Sequence, residues 1–217
     1  QAQVRGTEVA QRNAQDGVSL VQTADGALSE TTNILQRVRE LAVQAANGTQ
    51  STNNRTSLNN EVTQLLDQID DIATDTDFNG IRVLSAAQTL TLQSGSNPSQ
   101  TLVISTNGAK TNDLGVSTVS VSSVGAAVSA ISTIDAALQS ISSLRSNLGA
   151  LQNRLSFTIN TLAIQQENAT ASESAIRDAD IAQETIKFTR NQILVSAGTS
   201  VLAQANVQPQ SALTLLK

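Results

Sequence analysis

Ten aliphatic residues, Ile131, Ile134, Leu138, Ile141, Leu144, Leu148, Leu151, Leu155, Ile159 and Leu162, recur without interruption through one stretch of the chain. Their mean step of about 3.4 residues is that of a helix face winding against another helix. The pattern predicts a single helix from about Gly125 to Thr170, which at ~1.5 Å per residue is about 70 Å long. A round domain of this chain length has no such dimension, so the expectation is a rod.

Two further helices are expected before it. From about Gln3 to Ala46, apolar or small residues fall mostly three or four apart, at Ala14, Val18, Val21, Ala24, Leu28, Leu35, Val38, Ala42 and Ala45. Gly17 and Gly26 interrupt this run at a cost of ~1 kcal/mol each, so neighbouring helices must hold it. Asn47-Gly48 is the stop signal, because both residues tolerate the left-handed conformation that ends a helix. From about Thr52 to Thr74, the residues Leu58, Val62, Leu65, Ile69 and Ile72 step by four and three in strict alternation, a seven-residue seam.

Composition points the same way. The 217 residues carry a net charge of −5, are 39% hydrophobic and 14% charged, and include no aromatics besides Phe78, Phe157 and Phe188. Aromatic side chains ordinarily bury ~150–250 Å² each. Here Leu, Ile, Val and Ala must fill the interior alone, which suits thin helices lying close together better than a compact enzyme. With no His and no Cys, no zinc, haem or iron–sulfur site, no Ser-His or Cys-His nucleophile and no cofactor are expected. An acidic chain with three Lys and few stacking rings is a poor nucleic-acid binder. No apolar run approaches ~18 residues, so no membrane insertion is expected. The chain opens on Gln1 with no signal-like segment, which reads as a trimmed chain.

Residues 81–123 differ in character. Thr89–Leu92 and Thr101–Ile104 read as short strands around a Gly/Ser/Asn/Pro loop, which predicts a β-hairpin. Asn107-Gly108 and Gly115 mark further turns, and Ser117–Ser123 fits strand or loop equally. Asp75-Thr-Asp77-Phe-Asn79-Gly80 imitates the first half of a calcium loop. The twelfth position is Ala86 rather than a bidentate Glu, so a turn is the better reading. Asp67, Asp70 and Asp71 have no companion that would tune a catalytic carboxylate, and read as a solvated face. Asp178, Asp180 and Glu184 read as favourable charge near a helix start. Asn47-Gly-Thr49 and Asn168-Ala-Thr170 match the N-glycosylation pattern by chance composition, and the Ser/Thr-rich loop from Ser94 to Ser123 has acceptors for O-linked sugar. Arg37, Arg39 and Glu40 lie on the polar side of the first helix, with an Arg37/Glu40 pair three apart. The last segment, reopening at the capping-box signal Thr170-Ala-Ser-Glu173, carries Ile176, Ile186, Ile193, Leu194, Val201 and Leu202. It is expected to break near Pro209 and close with Leu213, Leu215 and Leu216. Its modest apolar content needs a partner surface.

The segment Leu35-Gln-Arg-Val-Arg-Glu-Leu-Ala-Val-Gln-Ala-Ala-Asn-Gly48 closely resembles the signature of bacterial flagellin. The resemblance extends upstream through Asp16–Leu28. Downstream it covers Phe78-Asn-Gly80, Leu148–Arg154, Asp178-Ala-Asp180, Gln192-Ile-Leu and Ala197–Asn206. It implies a mainly α fold: an elongated rod of long antiparallel helices with coiled-coil-like packing and a small β-hairpin region. Residues 1–80 and 124–172 would form the helical shell, 81–123 a short variable region, and 173–217 the C-terminal inner-tube segment. The N-terminal inner-tube segment of the family would be missing. The middle is too small for the outer domains of many flagellins, and Ile181 stands where many relatives have an aromatic.

The resemblance further implies a secreted, extracellular filament subunit that assembles with copies of itself for motility through coiled-coil packing; the spacing itself marks Leu58, Val62, Leu65, Ile69, Ile72, Leu148, Leu155 and Leu162 as seam residues. It implies an export chaperone on the C-terminal segment. It also maps the patch read by the animal Toll-like receptor for flagellin, and used for subunit packing, onto Arg37, Leu41 and Glu61. Rival readings are a cell-surface flagellin-like adhesin or polysaccharide-binding receptor, opposed by the few aromatics and the negative charge, and a hook–filament junction protein. An enzyme is discounted for want of a nucleophile–base pair.

Overall fold

The computed structural model describes residues 2–177 and 181–215. The element order is α1 (Ala2–Ala46), α2 (Thr52–Asp75), β1 (Asp77–Phe78), β2 (Ile81–Arg82), β3 (Gln88–Gln93), β4 (Thr101–Thr106), α3 (Val124–Arg177) and α4 (Ile181–Leu215). The chain divides into two compact units, 1–169 and 170–217.

In the first unit the 45-residue α1 is about 67 Å long at the helical rise. It ends at Ala46, but neither Asn47 nor Gly48 takes the expected left-handed conformation. Instead Asn47 Oδ1 accepts the Thr49 N–H at 3.1 Å. A short polar side chain thereby offers the backbone a turn in place of another helical bond. Ser51 then caps α2, its hydroxyl accepting from Asn54 N at 3.1 Å.

In this unit α2 and α3 both run antiparallel to α1. Arg37 on α1 meets Glu61 on α2. Between α1 and α3, Asp25 faces Arg145 at 2.8 Å and Arg39 faces Asp135 at 2.7 Å. Core residues on α1 recur every three or four positions from Ala10 to Ala45. On α3 the deepest line is Ala127, Ala130, Ile134, Ala137, Ile141, Leu148, Leu151, Leu155 and Leu162. Ile131, Leu138, Leu144 and Ile159 flank it, half-buried. The alanines share the seam with the aliphatics because a small side chain lets helix axes approach. On α2 the buried line is Val62, Leu66, Ile69 and Ala73. Leu58, Leu65 and Ile72 border it, half-buried, so the apolar face is wider than a two-per-heptad seam.

β1 and β2 pair antiparallel around Asn79 (φ 53°) and Gly80 (φ 79°), the pair of positive φ values a tight hairpin needs. The calcium-like sequence is therefore a turn, with Asp77 Oδ2 accepting Gly80 N–H at 3.0 Å. β3 and β4 pair from Gln88↔Thr106 to Gln93↔Thr101. Leu102 and Ile104 point into the core, while Thr101, Val103 and Ser105 point out. Gly17 marks where this hairpin and α3 close on α1: a Cβ there would lie 2.9 Å from Leu92 Cδ2 and 3.3 Å from Leu155 Cδ2. Its cost to helix propensity is offset by close packing. Residues 117–123 form loop, not strand.

Three expectations for the C-terminal third are corrected. α3 runs unbroken to Arg177, so the Thr170–Glu173 capping signal starts no helix. A cap gains stability only where backbone donors are free, and donors within a continuing helix are already bonded. α4 continues through Pro209 to Leu215; a proline removes one helical bond and can kink a helix without ending it. By length and composition alone, the described helical residues within 124–205 include a window apolar enough to cross a membrane, against the expectation that none would. Alanine and scattered aliphatic residues raise the average without a continuous apolar run, and that mixture also suits helix–helix packing. Asp178, Asp180 and Leu216 lie outside the described residues; Glu184 sits in the first turn of α4.

Candidate functional site

On the outer side of α1 and α2, Arg37 is the hub of a small charged cluster. Its Nε and Nη2 donate to Glu61 Oε1 at 3.1 and 2.9 Å, and its Nη1 donates to Glu40 Oε2 at 3.1 Å. The hydrogen bond to Glu61, then that to Glu40, raises the guanidinium above its usual pKa. Arg39 and Arg145 are raised likewise, first by their hydrogen bonds to Asp135 and Asp25. All three therefore stay cationic across the pH range in which proteins fold. Glu40 lies three residues beyond Arg37 on the same helical face, and the antiparallel α1–α2 hairpin delivers Glu61. The patch is solvated, with side-chain exposures of 52% for Arg37 and 43% for Glu61. Leu41 is not on it. At 1% exposure Leu41 is a core residue, grouped with Val38 and Ala42.

Of the α2 carboxylates, Asp67 and Asp71 are exposed as expected, while Asp70 does a different task. Asp70 accepts both the N–H and the hydroxyl of Thr111 at 2.8 Å. Eleven residues earlier, on nearly the same helical face, Asn59 Oδ1 accepts from Ser120 Oγ at 2.8 Å and Val121 N at 2.9 Å. Together they clasp the loop between β4 and α3 to α2. The spacing of eleven between two short acceptors was the available signal, and a reading of acids alone passes over it. A cavity of about 210 Å³ between α1, α3 and the end of β4 is lined by Leu28, Leu84, Leu144 and Leu148 with Ser105, Thr106, Asn107 and Asn147. It carries no charged group, hence no acid–base chemistry.

The second unit presents a different kind of surface. Along α4, Ile186, Phe188, Ile193, Leu194, Val195, Val201 and Leu202 are 58–68% exposed. Phe188, Val195 and Leu202 lie seven apart, as do Ile186 and Ile193, and Leu194 and Val201. No charged residue follows Arg190 until Lys217. A helix apolar on several faces belongs in an interior, and this one has its apolar side chains in solvent.

Long seamed helices, a small hairpin and an uncovered apolar helix describe a subunit made to be packed against. Residues 1–89 match the bacterial flagellin N-terminal helical region, and residues 131–216 match the bacterial flagellin C-terminal helical region. The chain belongs to the bacterial flagellin family. It is 43% identical to the flagellin of Halalkalibacterium halodurans over 219 aligned positions, covering 100% of this chain and 80% of that one. It is 41% identical to the flagellar filament 31.3 kDa core protein of Treponema maltophilum, covering 100% and 82%. Its fold resembles the crystal structure of Bacillus cereus flagellin with a TM-score of 0.60 and 34% identity, over 75% of this chain and 94% of that one. Flagellins are structural proteins, so this chain is a structural subunit of the flagellar filament and not an enzyme. Nothing in the flagellin matches favours an adhesin. The family assembles with itself, and its place is the surface flagellum.

Proposed function

We propose that residues 1–80 and 124–172 form the helical shell of the filament, that 81–123 is its short variable part, and that 173–217 is the inner-tube segment. The observation that carries this reading is the run of exposed apolar residues on α4 from Ile186 to Leu202. Covering that face with a different, complementary face of a neighbouring copy gives heterologous contacts, which propagate as a helix rather than closing on themselves. The same face is the natural seat of an export chaperone before secretion, because a helix left this apolar in a monomer invites aggregation. The decisive experiment is seeded growth, followed by electron microscopy, of the chain joined to the family's N-terminal inner-tube segment and of its Leu194→Ser, Leu202→Ser variant. The expected result is filaments from the first and none from the second, with equal helix content in both monomers. Filament growth by the variant would overturn the reading.

The Arg37–Glu61 cluster is the polar part of a packing surface that the animal receptor for flagellin also reads. Leu41 supports that surface from beneath. Receptor activation should fall with Glu61→Ala and with Arg37→Ala while α1 stays folded. A double variant including Leu41→Ala does not test the patch, because removing a buried leucine destabilises the helix as well. Equal signalling by the Arg37 and Glu61 variants would remove receptor recognition from this surface.

A further inference from the structure

Three Asn-Gly pairs occur in the chain: Asn47-Gly48, Asn79-Gly80 and Asn107-Gly108. At such a pair the side-chain amide is open to attack by the following backbone nitrogen, because glycine has no Cβ to obstruct the five-membered ring that forms. The three stand in unlike surroundings. Asn79 is fixed at φ 53° between β1 and β2, and the Gly80 N–H that would attack is held by Asp77 Oδ2 at 3.0 Å. Gly108 is pinned on both sides: a Cβ there would run into Asp113 Oδ2, and the next residue, Ala109, donates its N–H to Leu84 O at 2.9 Å. Asn47 and Gly48 are both exposed in the turn between α1 and α2. The Gly48 N–H meets no acceptor among the described residues. The Asn47 side-chain carbonyl is folded forward along the chain and polarised by the Thr49 N–H at 3.1 Å. That bond draws electron density from Cγ, the atom under attack, and directs the side chain toward the amide that attacks it.

We propose that Asn47 is a site of spontaneous deamidation in the folded chain, and that the fold protects Asn79 and Asn107. Gly48 N forms a bond to Asn47 Cγ, the Cγ–Nδ2 bond breaks, and Nδ2 leaves as ammonia with the proton given up by Gly48 N. Water then adds to either carbonyl carbon of the resulting succinimide. Opening the ring leaves aspartate or isoaspartate at position 47. Water is the only co-reactant. The product puts a carboxylate just past the last turn of α1, where the helix dipole disfavours negative charge. Isoaspartate also lengthens the backbone by one carbon inside a turn closed by Gln50 N–H on Asn47 O at 3.1 Å, an oxygen that also accepts from Arg55 Nη1 at 3.3 Å. Ageing of the protein thus acts first on the corner that joins its two N-terminal helices.

The test is incubation of the full folded chain at mildly alkaline pH, with a parallel sample in urea. Proteolysis and mass spectrometry then give aspartate plus isoaspartate at each asparagine. In the folded chain, product at position 47 should exceed that at 79 and 107 several-fold, and in urea the three should react at similar rates. Gly48→Ala is tolerated, since Gly48 has open space where a Cβ would stand and no positive φ. It should suppress product at 47 and leave the other two unchanged. Equal product at 47 and 79 in the folded chain would overturn the proposal. So would product at 47 no greater than at Asn112, an exposed loop asparagine followed by Asp113, or product that persists in Gly48→Ala.

Discussion

α1 and α4 are both long helices rich in Ala, Val, Leu and Ile, and the first unit covers one while the other stands bare. α1 confines its apolar residues to a stripe and spreads Arg5, Glu8, Arg12, Asp16, Asp25, Glu30, Arg37, Arg39 and Glu40 over the rest of its length. α4 has Glu184, Lys187 and Arg190 near its start and then no charge, with aliphatic side chains on more than one face. A stripe can be satisfied by two neighbours from the same chain. A helix apolar around its circumference needs partners on every side, more than the second unit supplies. The distribution of charge, rather than the amount of hydrophobic residue, thus separates a helix stable in the monomer from one completed by assembly.

The comparison breaks most sharply on paired truncations. Leu35→Ala, at a site with no exposure, should lower unfolding free energy by ~2–5 kcal/mol in urea titrations, and Leu41→Ala should behave alike. Leu202→Ala should leave the same titration within ~0.5 kcal/mol of the parent, yet abolish seeded growth of the chain joined to the N-terminal inner-tube segment. A large stability loss from Leu202→Ala would mean that α4 is already packed in the monomer. Next in size is Asp70→Ala, which orphans the Thr111 N–H and hydroxyl and should cost ~1–3 kcal/mol, with faster hydrogen exchange in 107–121. Gly26→Ala has open space around the new methyl and should stabilise α1 by ~0.5–1 kcal/mol. Gly17→Ala should lose that gain to the contact with Leu92; calorimetry on the two variants tests whether close approach or chance put glycine at each site. Smallest is Arg37→Ala, whose exposed ion pairs should leave the thermal midpoint unchanged, since solvent screens such pairs.

The helices and the hairpin were legible because their signals are local: the stripe from Ile131 to Leu162, the seam from Leu58 to Ile72, and the alternation at Thr89–Leu92 and Thr101–Ile104. What escaped depends on neighbours. Leu66 and Ala73 outrank Leu65 and Ile72 in burial because α2 faces both α1 and the clasped loop, which a two-helix pattern does not anticipate. Leu41 and Arg37 share a signature segment and lie on opposite sides of the surface, a distinction only packing draws. Asn47 ends α1 by a side-chain bond and not by a left-handed turn, since the same residue serves either device. The signals at Thr170 and Pro209 failed for a common reason: they are terminus preferences worth a few kcal/mol or less, and a continuing helix overrides them.

A heptad seam looks much the same after a slip of one repeat, so apolar contacts alone fix the register of two long helices poorly. The pairs Asp25–Arg145 and Arg39–Asp135 are strung between α1 and α3 with opposite polarity. A displacement of a single heptad would part both pairs at once, and sliding farther would bring acid toward acid or base toward base. Two exposed ion pairs that add little to stability can therefore still decide which of several near-equivalent alignments the bundle adopts.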